Sequence, residues 1–144
     1  YSQAVARNTK MPQTSNGFAN AGPGTKMLYY ETAAHSMAST VSGANLWEMA
    51  PARNKHHNRG TPLECRLAAE VGYGVTLSGM TRKEANIIVN TLLEKYELDI
   101  PEAPLGKTFR EMYDVEKAVP QSDALEQYKE SVKELKDMGV PFPY

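Results

Sequence analysis

The residues with the most chemical promise lie between Thr14 and Gly24, in the run T-S-N-G-F-A-N-A-G-P-G. Asn16 and Asn20 bring side-chain amides that both donate and accept, and glycines let a ligand approach the main chain. A helix is expected to begin just after, at Thr25, so its first N–H groups add an attraction for anions and polar groups. The run is not a P-loop. G-K-[ST] is missing at that place, and the later Gly106-Lys107-Thr108 lacks its upstream glycine. The same composition also suits an ordinary turn from a strand into a helix.

Other groupings offer less. His56-His57 with Cys65 invites a metal, yet adjacent histidines point apart, and no C-x-x-C or H-E-x-x-H occurs. A solvated loop is the expectation there, with no metal site and no directly bound cofactor. His35 follows Glu31 by four residues, the spacing at which helix side chains meet, so the two suit an acid–base pair or a helix–helix hydrogen bond. Arg66 and Glu70 share that spacing and read as structural. Cys65 sits among apolar neighbours and reads as an inert, buried thiol.

Helices must hold these groups. Ala4-Val5-Ala6 fits the end of a strand or of a helix, and Thr14 to Gly24 reads as a loop. Thr25 can cap a helix that continues to Ser42 and ends at Gly43. Its small residues, among them Ala33, Ala34 and Ser36, imply close packing on several sides. Leu46 to Met49 is a short apolar piece closed by Pro51, and Arg53 to Arg59 is a basic surface loop. Thr61-Pro62-Leu63-Glu64 places threonine at N-cap, proline at N1 and glutamate at N3. That helix is expected to run towards Leu77, to stop at Gly79 and, being apolar on most sides, to be largely buried.

Thr81 to Glu84 repeats the capping box, and Ala85, Ile88, Val89, Leu92 and Tyr96 follow at helical spacing. Thr108 and Glu111 suit a cap on one short turn through Tyr113. Ser122 opens an amphipathic helix with Leu125, Tyr128, Val132 and Leu135 on one face, closed by Gly139 and Pro141. Four or five helices dominate, with no internal repeat and no long strand pattern.

The 144 residues are enough to bury a core, and the 41% apolar and 23% charged fractions are those of a globular protein. A net charge of -1 argues against a nucleic-acid surface. The single cysteine, Cys65, excludes an internal disulfide and fits a reducing cytoplasm. No apolar run approaches the roughly 20 residues of a membrane span. The start at Tyr1 suggests a piece of a longer chain, and the helix from Pro62 is expected to need neighbours beyond this piece.

Two runs carry a family likeness: Ala21 to Met27, A-G-P-G-T-K-M, and Ala103 to Val115, A-P-L-G-K-T-F-R-E-M-Y-D-V. Thr61-x-x-Glu64-x-Arg66, Glu70-Val71, Glu84-x-Asn86-x-Ile88 and Lys133-x-Leu135-x-Asp137-x-Gly139 extend it. In this order and separation they resemble the C-terminal third of the monomethylamine methyltransferases, pyrrolysine-containing and corrinoid-dependent enzymes. The resemblance implies an α/β fold, the C-terminal portion of a (β/α)8 TIM barrel that is predominantly helical in this segment. The last barrel loop and helix would occupy about residues 1–50, and the following helices residues 61–144.

The implied reaction moves the methyl group of a methylated amine, monomethylamine first, to the cobalt of a corrinoid carried by a partner protein, in methanogenesis. The amine adds to the imine of a pyrrolysine that lies upstream of this segment, so the segment alone is expected to be inactive. Family members assemble as homo-oligomers. Just before the A-G-P run the family has a glutamine and aromatic residues near the pyrrolysine; the corresponding places here are Asn16 and Phe18. The resemblance thus makes Asn16 and Phe18 the candidate catalytic residues, at the barrel mouth. Asparagine is the shorter amide, and phenylalanine has no hydroxyl to donate. Two alternatives follow: a methyltransferase for a different methylated amine, or a non-catalytic helical subunit or interaction module.

Overall fold

The computed structural model describes residues 1–144. A short helix, α1 (Ser2–Asn8), precedes β1 (Thr14–Phe18), α2 (Lys26–Val41) and β2 (Asn45–Ala50). β1 and β2 pair in parallel, so α2 is the crossover that a parallel pair requires. Thr14 stands opposite Asn45 and Ser15 opposite Leu46, but Gly17 stands opposite Met49. β2 therefore bulges by one residue. The loop expected over Thr14 to Gly24 is a strand as far as Phe18. T-S-N-G-F lacks the alternation of a half-buried strand, and its partner in β2 supplies what local preference does not.

α3 (Pro62–Ser78), α4 (Arg82–Leu93) and the single turn α5 (Phe109–Met112) follow. A two-residue antiparallel ladder, β3 (Tyr113–Asp114) with β4 (Val119–Pro120), leads into α6 (Ser122–Asp137). α2 is the centre of the molecule. Helices and sheet surround it, and eleven of its sixteen residues are buried. Tyr29, Ala33 and Met37 of α2 join Leu67, Val71, Leu92, Met112 and Leu135 in the main core. A smaller core gathers Ala19, Ala21, Leu28, Met49 and Ala68 beside the sheet.

The three threonine caps form as their spacing requires. The Thr61 N–H donates to the Glu64 carboxylate while Leu63 N–H donates to Thr61 Oγ1 at 3.3 Å. Thr81 and Glu84 exchange the equivalent bonds at 2.8 and 3.3 Å, and Thr108 N–H donates to Glu111 at 2.7 Å. Glu64 is 1% exposed, and burial pushes its carboxyl above the ordinary range against the pull of the Thr61 bonds. α3 stops at Gly79 with φ 65°.

α3 departs from expectation on its outer side. Leu63, Leu67, Val71 and Val75 are buried, but Tyr73 and Leu77 stay 58% and 60% exposed and Cys65 is exposed. The helix is covered on one side because its neighbours within residues 1–144 lie on one side. The expected buried thiol is therefore a surface thiol.

The two runs that carry the family likeness meet in space. Gly22 N–H donates to the Pro104 carbonyl at 2.8 Å, and Lys107 N–H donates to the Pro23 carbonyl at 2.7 Å. The main chains cross with no side chain between them. A Cβ on Gly22 would overlap the Leu105 carbonyl, and one on Gly106 would overlap the Pro23 carbonyl. Gly106 also has φ 64°, which an L side chain disfavours. In the intact protein, Gly22→Ala and Gly106→Ala should each lower unfolding free energy by about 3 kcal/mol or more. Gly60→Ala, with nothing within 4 Å of its added Cβ, should stay within about 0.5 kcal/mol. Urea titrations followed by circular dichroism compare the three; equal, small shifts would mean that the crossing tolerates a methyl group.

Candidate functional site

β1 alternates. Ser15 faces α2, with its Oγ 3.5 Å from His35 Nε2 and 3.2 Å from Ser39 Oγ. Gly17 faces the same way, since a Cβ there would lie 2.9 Å from His35 Cδ2. Asn16 and Phe18, offset by one residue, take the opposite face. Both are exposed, Phe18 by 59%. The structure thus brings the two candidate residues together, two positions apart on one strand and one face. It moves them out of the loop in which the sequence reading placed them.

The loop itself, from Ala19 to Thr25, has its polar main chain occupied. Ala19 N–H donates to the Ala50 carbonyl at 3.1 Å, and Arg53 and Ala52 N–H donate back to the Ala19 and Ala21 carbonyls at 2.8 and 2.9 Å. Asn20 and Ala21 N–H donate to Glu31 Oε1 and Oε2 at 3.0 and 2.9 Å, and Asn20 Nδ2 adds 2.7 Å to Oε1. Gly22 N–H is taken by Pro104, and Thr25 Oγ1 donates to the Gly22 carbonyl at 2.8 Å. Gln127 Nε2 reaches the Gly24 carbonyl at 3.0 Å. Such a loop has no N–H groups from Ala19 to Gly22 left for an anion. The expected anion cradle is a brace instead.

Glu31 is the residue that sequence reasoning misassigned. Its carboxylate turns to the loop, not to His35 four residues on. His35 lies instead between Ser15 and Ser39, 3.4 Å from the latter. Burial lowers its imidazole pKa, partly offset by the Ser15 main chain. These long contacts sit between helix and sheet, away from the open face, and tie β1 to α2. A signal for Glu31 did exist. A glutamate on a helix otherwise lined by small and apolar residues needs donors, and Asn20 and Ala21 lie just upstream.

The remaining candidates are structural. Arg66 Nε pairs with Glu70 Oε1 at 2.7 Å, and Tyr128 donates to Glu70 Oε2 at 2.9 Å. Burial, then the Glu70 bond, push the Tyr128 hydroxyl upward. No group of three or more His, Cys, Asp or Glu side chains is placed to hold a metal. No helix is long and apolar enough to cross a membrane.

The family model described as "Monomethylamine methyltransferase MtmB" matches residues 1–140. The chain belongs to the monomethylamine methyltransferase family. A monomethylamine methyltransferase of Methanosarcina mazei is 32% identical over 139 residues, which are 96% of this chain and 30% of that protein. One from Methanosarcina barkeri is 34% identical over 123 residues, 85% of this chain and 26% of its own. The crystal structure of the Methanosarcina barkeri monomethylamine methyltransferase superposes with TM-score 0.88 at 31% identity, covering 96% of this chain and 30% of that one. The hydroxylamine complex of a monomethylamine methyltransferase gives the same values. The chain therefore spans about 30% of the length of these relatives.

The brace generates its own expectation. Glu31→Ala leaves the Asn20 and Ala21 N–H groups without their acceptor, and should cost about 2–3 kcal/mol. Amide exchange at Asn20 and Ala21 should accelerate while α2 stays protected. Unchanged exchange at both amides would mean that the carboxylate does not hold the loop.

Proposed function

We propose that this chain is part of a cytoplasmic, homo-oligomeric methyltransferase that moves the methyl group of a methylated amine to the cobalt of a corrinoid held by a partner protein, in methanogenesis from methylamines. Monomethylamine is the first substrate to try. The likeness to monomethylamine methyltransferases over 96% of the chain is the observation that supports this most. The hydroxylamine complex of a relative agrees with it, because hydroxylamine and methylamine are both nucleophilic amines of two heavy atoms.

The sheet supports the (β/α)8 part of the reading. Two parallel strands are not a stable unit by themselves, and parallel sheets are found with both faces covered. Here Asn16 and Phe18 stand on an open face. In the whole enzyme proposed, that face turns to the barrel interior and the loops after β1 and β2 lie at its mouth.

The chemistry of the open face fits a small amine. The Asn16 oxygen can accept from an amine N–H, and its NH2 can donate to an anionic neighbour. Phe18 presents a ring that excludes water and packs against a methyl group. In this reading the corrinoid is carried by the partner protein, and neither Asn16 nor Phe18 is asked to hold its cobalt. Pyrrolysine, elsewhere in the whole enzyme, supplies an electrophilic imine, and the reduced corrinoid supplies the methyl acceptor. Asn16 then holds the amine in one orientation while Phe18 keeps its surroundings dry.

Ammonia release from monomethylamine, dependent on the reduced corrinoid protein, tests the reaction in the whole enzyme. Turnover of a different methylated amine alone would reassign the substrate, and no turnover of any would overturn the reading. Asn16→Ala should reduce turnover about ten- to hundredfold, the worth of one hydrogen bond to a charged group. Its melting temperature should not change. A wild-type rate in that variant would remove Asn16 from the site.

A further inference from the structure

β2 carries one residue more than its partner strand, and the extra residue changes what the open face offers. Leu46 stands opposite Ser15 and Met49 opposite Gly17, so Trp47 and Glu48 together stand opposite Asn16. Leu46 turns towards the helices, since its Cδ1 would lie 2.7 Å from a Cβ on Gly72 of α3. Met49 turns the same way, against Gly17 and into the smaller core. Alternation forward from Leu46 puts Trp47 on the opposite face, and alternation back from Met49 puts Glu48 there too. The bulge thus sets an indole and a carboxylate side by side on the face that bears Asn16 and Phe18. Re-aiming side chains beside a site is a common use of a bulge.

Both side chains stand free. Trp47 is 69% exposed and Glu48 is exposed. None of the chain's four ion pairs involves Glu48. β1 offers it no titratable neighbour. Cys65 of α3 lies close enough to feel its charge, and Lys55, His56 and His57 line an open recess with it. Arg59 lines that recess too, but its guanidinium is taken by the Leu105 and Gly106 carbonyls. An exposed carboxylate needs no partner. Once its face is covered, as in a barrel interior, an unpaired carboxylate is costly, and a bound cation offsets that cost.

We propose that Glu48 holds the ammonium form of the amine substrate beside Asn16 and accepts its proton, while Trp47 walls the methyl group. The inference rests on the proposed function and adds two residues to its site. An alkylamine, like a lysine side chain with its pKa of about 10.4, is protonated at neutral pH. In that form it has no lone pair with which to add to an imine. Burial disfavours both charges of an ammonium–carboxylate pair, so a dry site favours the transfer. One N–H bond breaks, an O–H bond forms on Glu48, and the electron pair stays on nitrogen. The indole face attracts the cation before the transfer and packs against the methyl group after it.

The whole enzyme carrying Glu48→Gln tests the proton transfer. At neutral pH its kcat/KM for monomethylamine should fall about hundredfold. It should then climb about tenfold per pH unit on the alkaline side, as free amine accumulates in solution, while the parent varies far less. Hydroxylamine, a much weaker base that is already neutral, should bind Glu48→Gln as it binds the parent. Trp47→Ala should raise KM for monomethylamine about tenfold, and Trp47→Phe about twofold. A parent-like kcat/KM in Glu48→Gln at neutral pH overturns the proposal. An equal loss at every pH together with lost hydroxylamine binding also overturns it, because that marks a structural role. An unchanged KM in Trp47→Ala removes the indole from the site. A parent enzyme that releases ammonia from no methylated amine overturns the function on which the proposal rests.

Discussion

Two stretches of main chain cross at Gly22 and Gly106 with no side chain between them, and the course of the loop after β1 follows from that crossing. Backbone bonds on either side, from Gly22 to Pro104 and from Lys107 to Pro23, make the approach a two-point lock. Any residue larger than glycine at either place would overlap a carbonyl. Once the loop is set, its Ala19 and Ala21 carbonyls receive Arg53 and Ala52, so the segment after β2 is set with it. A single steric constraint is passed from the Ala103–Val115 run to both loops at the carboxyl end of the sheet.

The lock has to be anchored to something stiff, and α2 provides that. Its buried length packs against α3, α4 and α6, and Glu31 sends a carboxylate up to the loop that the lock also holds. Ser15, His35 and Ser39 fasten the back of β1 to the same helix. Asn16 and Phe18 therefore stand on a strand whose rear face, following loop and crossover helix are all tied down. In physical terms this is preorganisation: side chains on a strand so tied keep one orientation without further ordering.

How much was legible in the sequence depended on range. The Thr61, Thr81 and Thr108 caps and the stop at Gly79 involve residues within one turn of each other, and they formed as read. β1 was not legible, because its pairing is with β2 across the whole of α2 and its own residues carry no alternation. Glu31 was paired with His35 by the local i,i+4 rule, whereas its partners are main-chain donors that no side-chain pattern records. The outer face of α3 carries Tyr73 and Leu77 as the reading assumed, but nothing within residues 1–144 packs on it, so Cys65 and Leu77 are exposed. The two glycine runs were visible as runs. That they touch each other was not, and it gives a physical reason for both to occur together in one chain.

Native-state hydrogen exchange on the intact protein addresses the lock most directly, because it reads the Gly22 and Lys107 amides one by one. If the crossing is the constraint on which the carboxyl end depends, both amides should exchange with the same opening free energy and the same denaturant dependence as Met37 in the buried centre of α2. Exchange of either amide through a low-energy local opening, while Met37 remained protected, would contradict it.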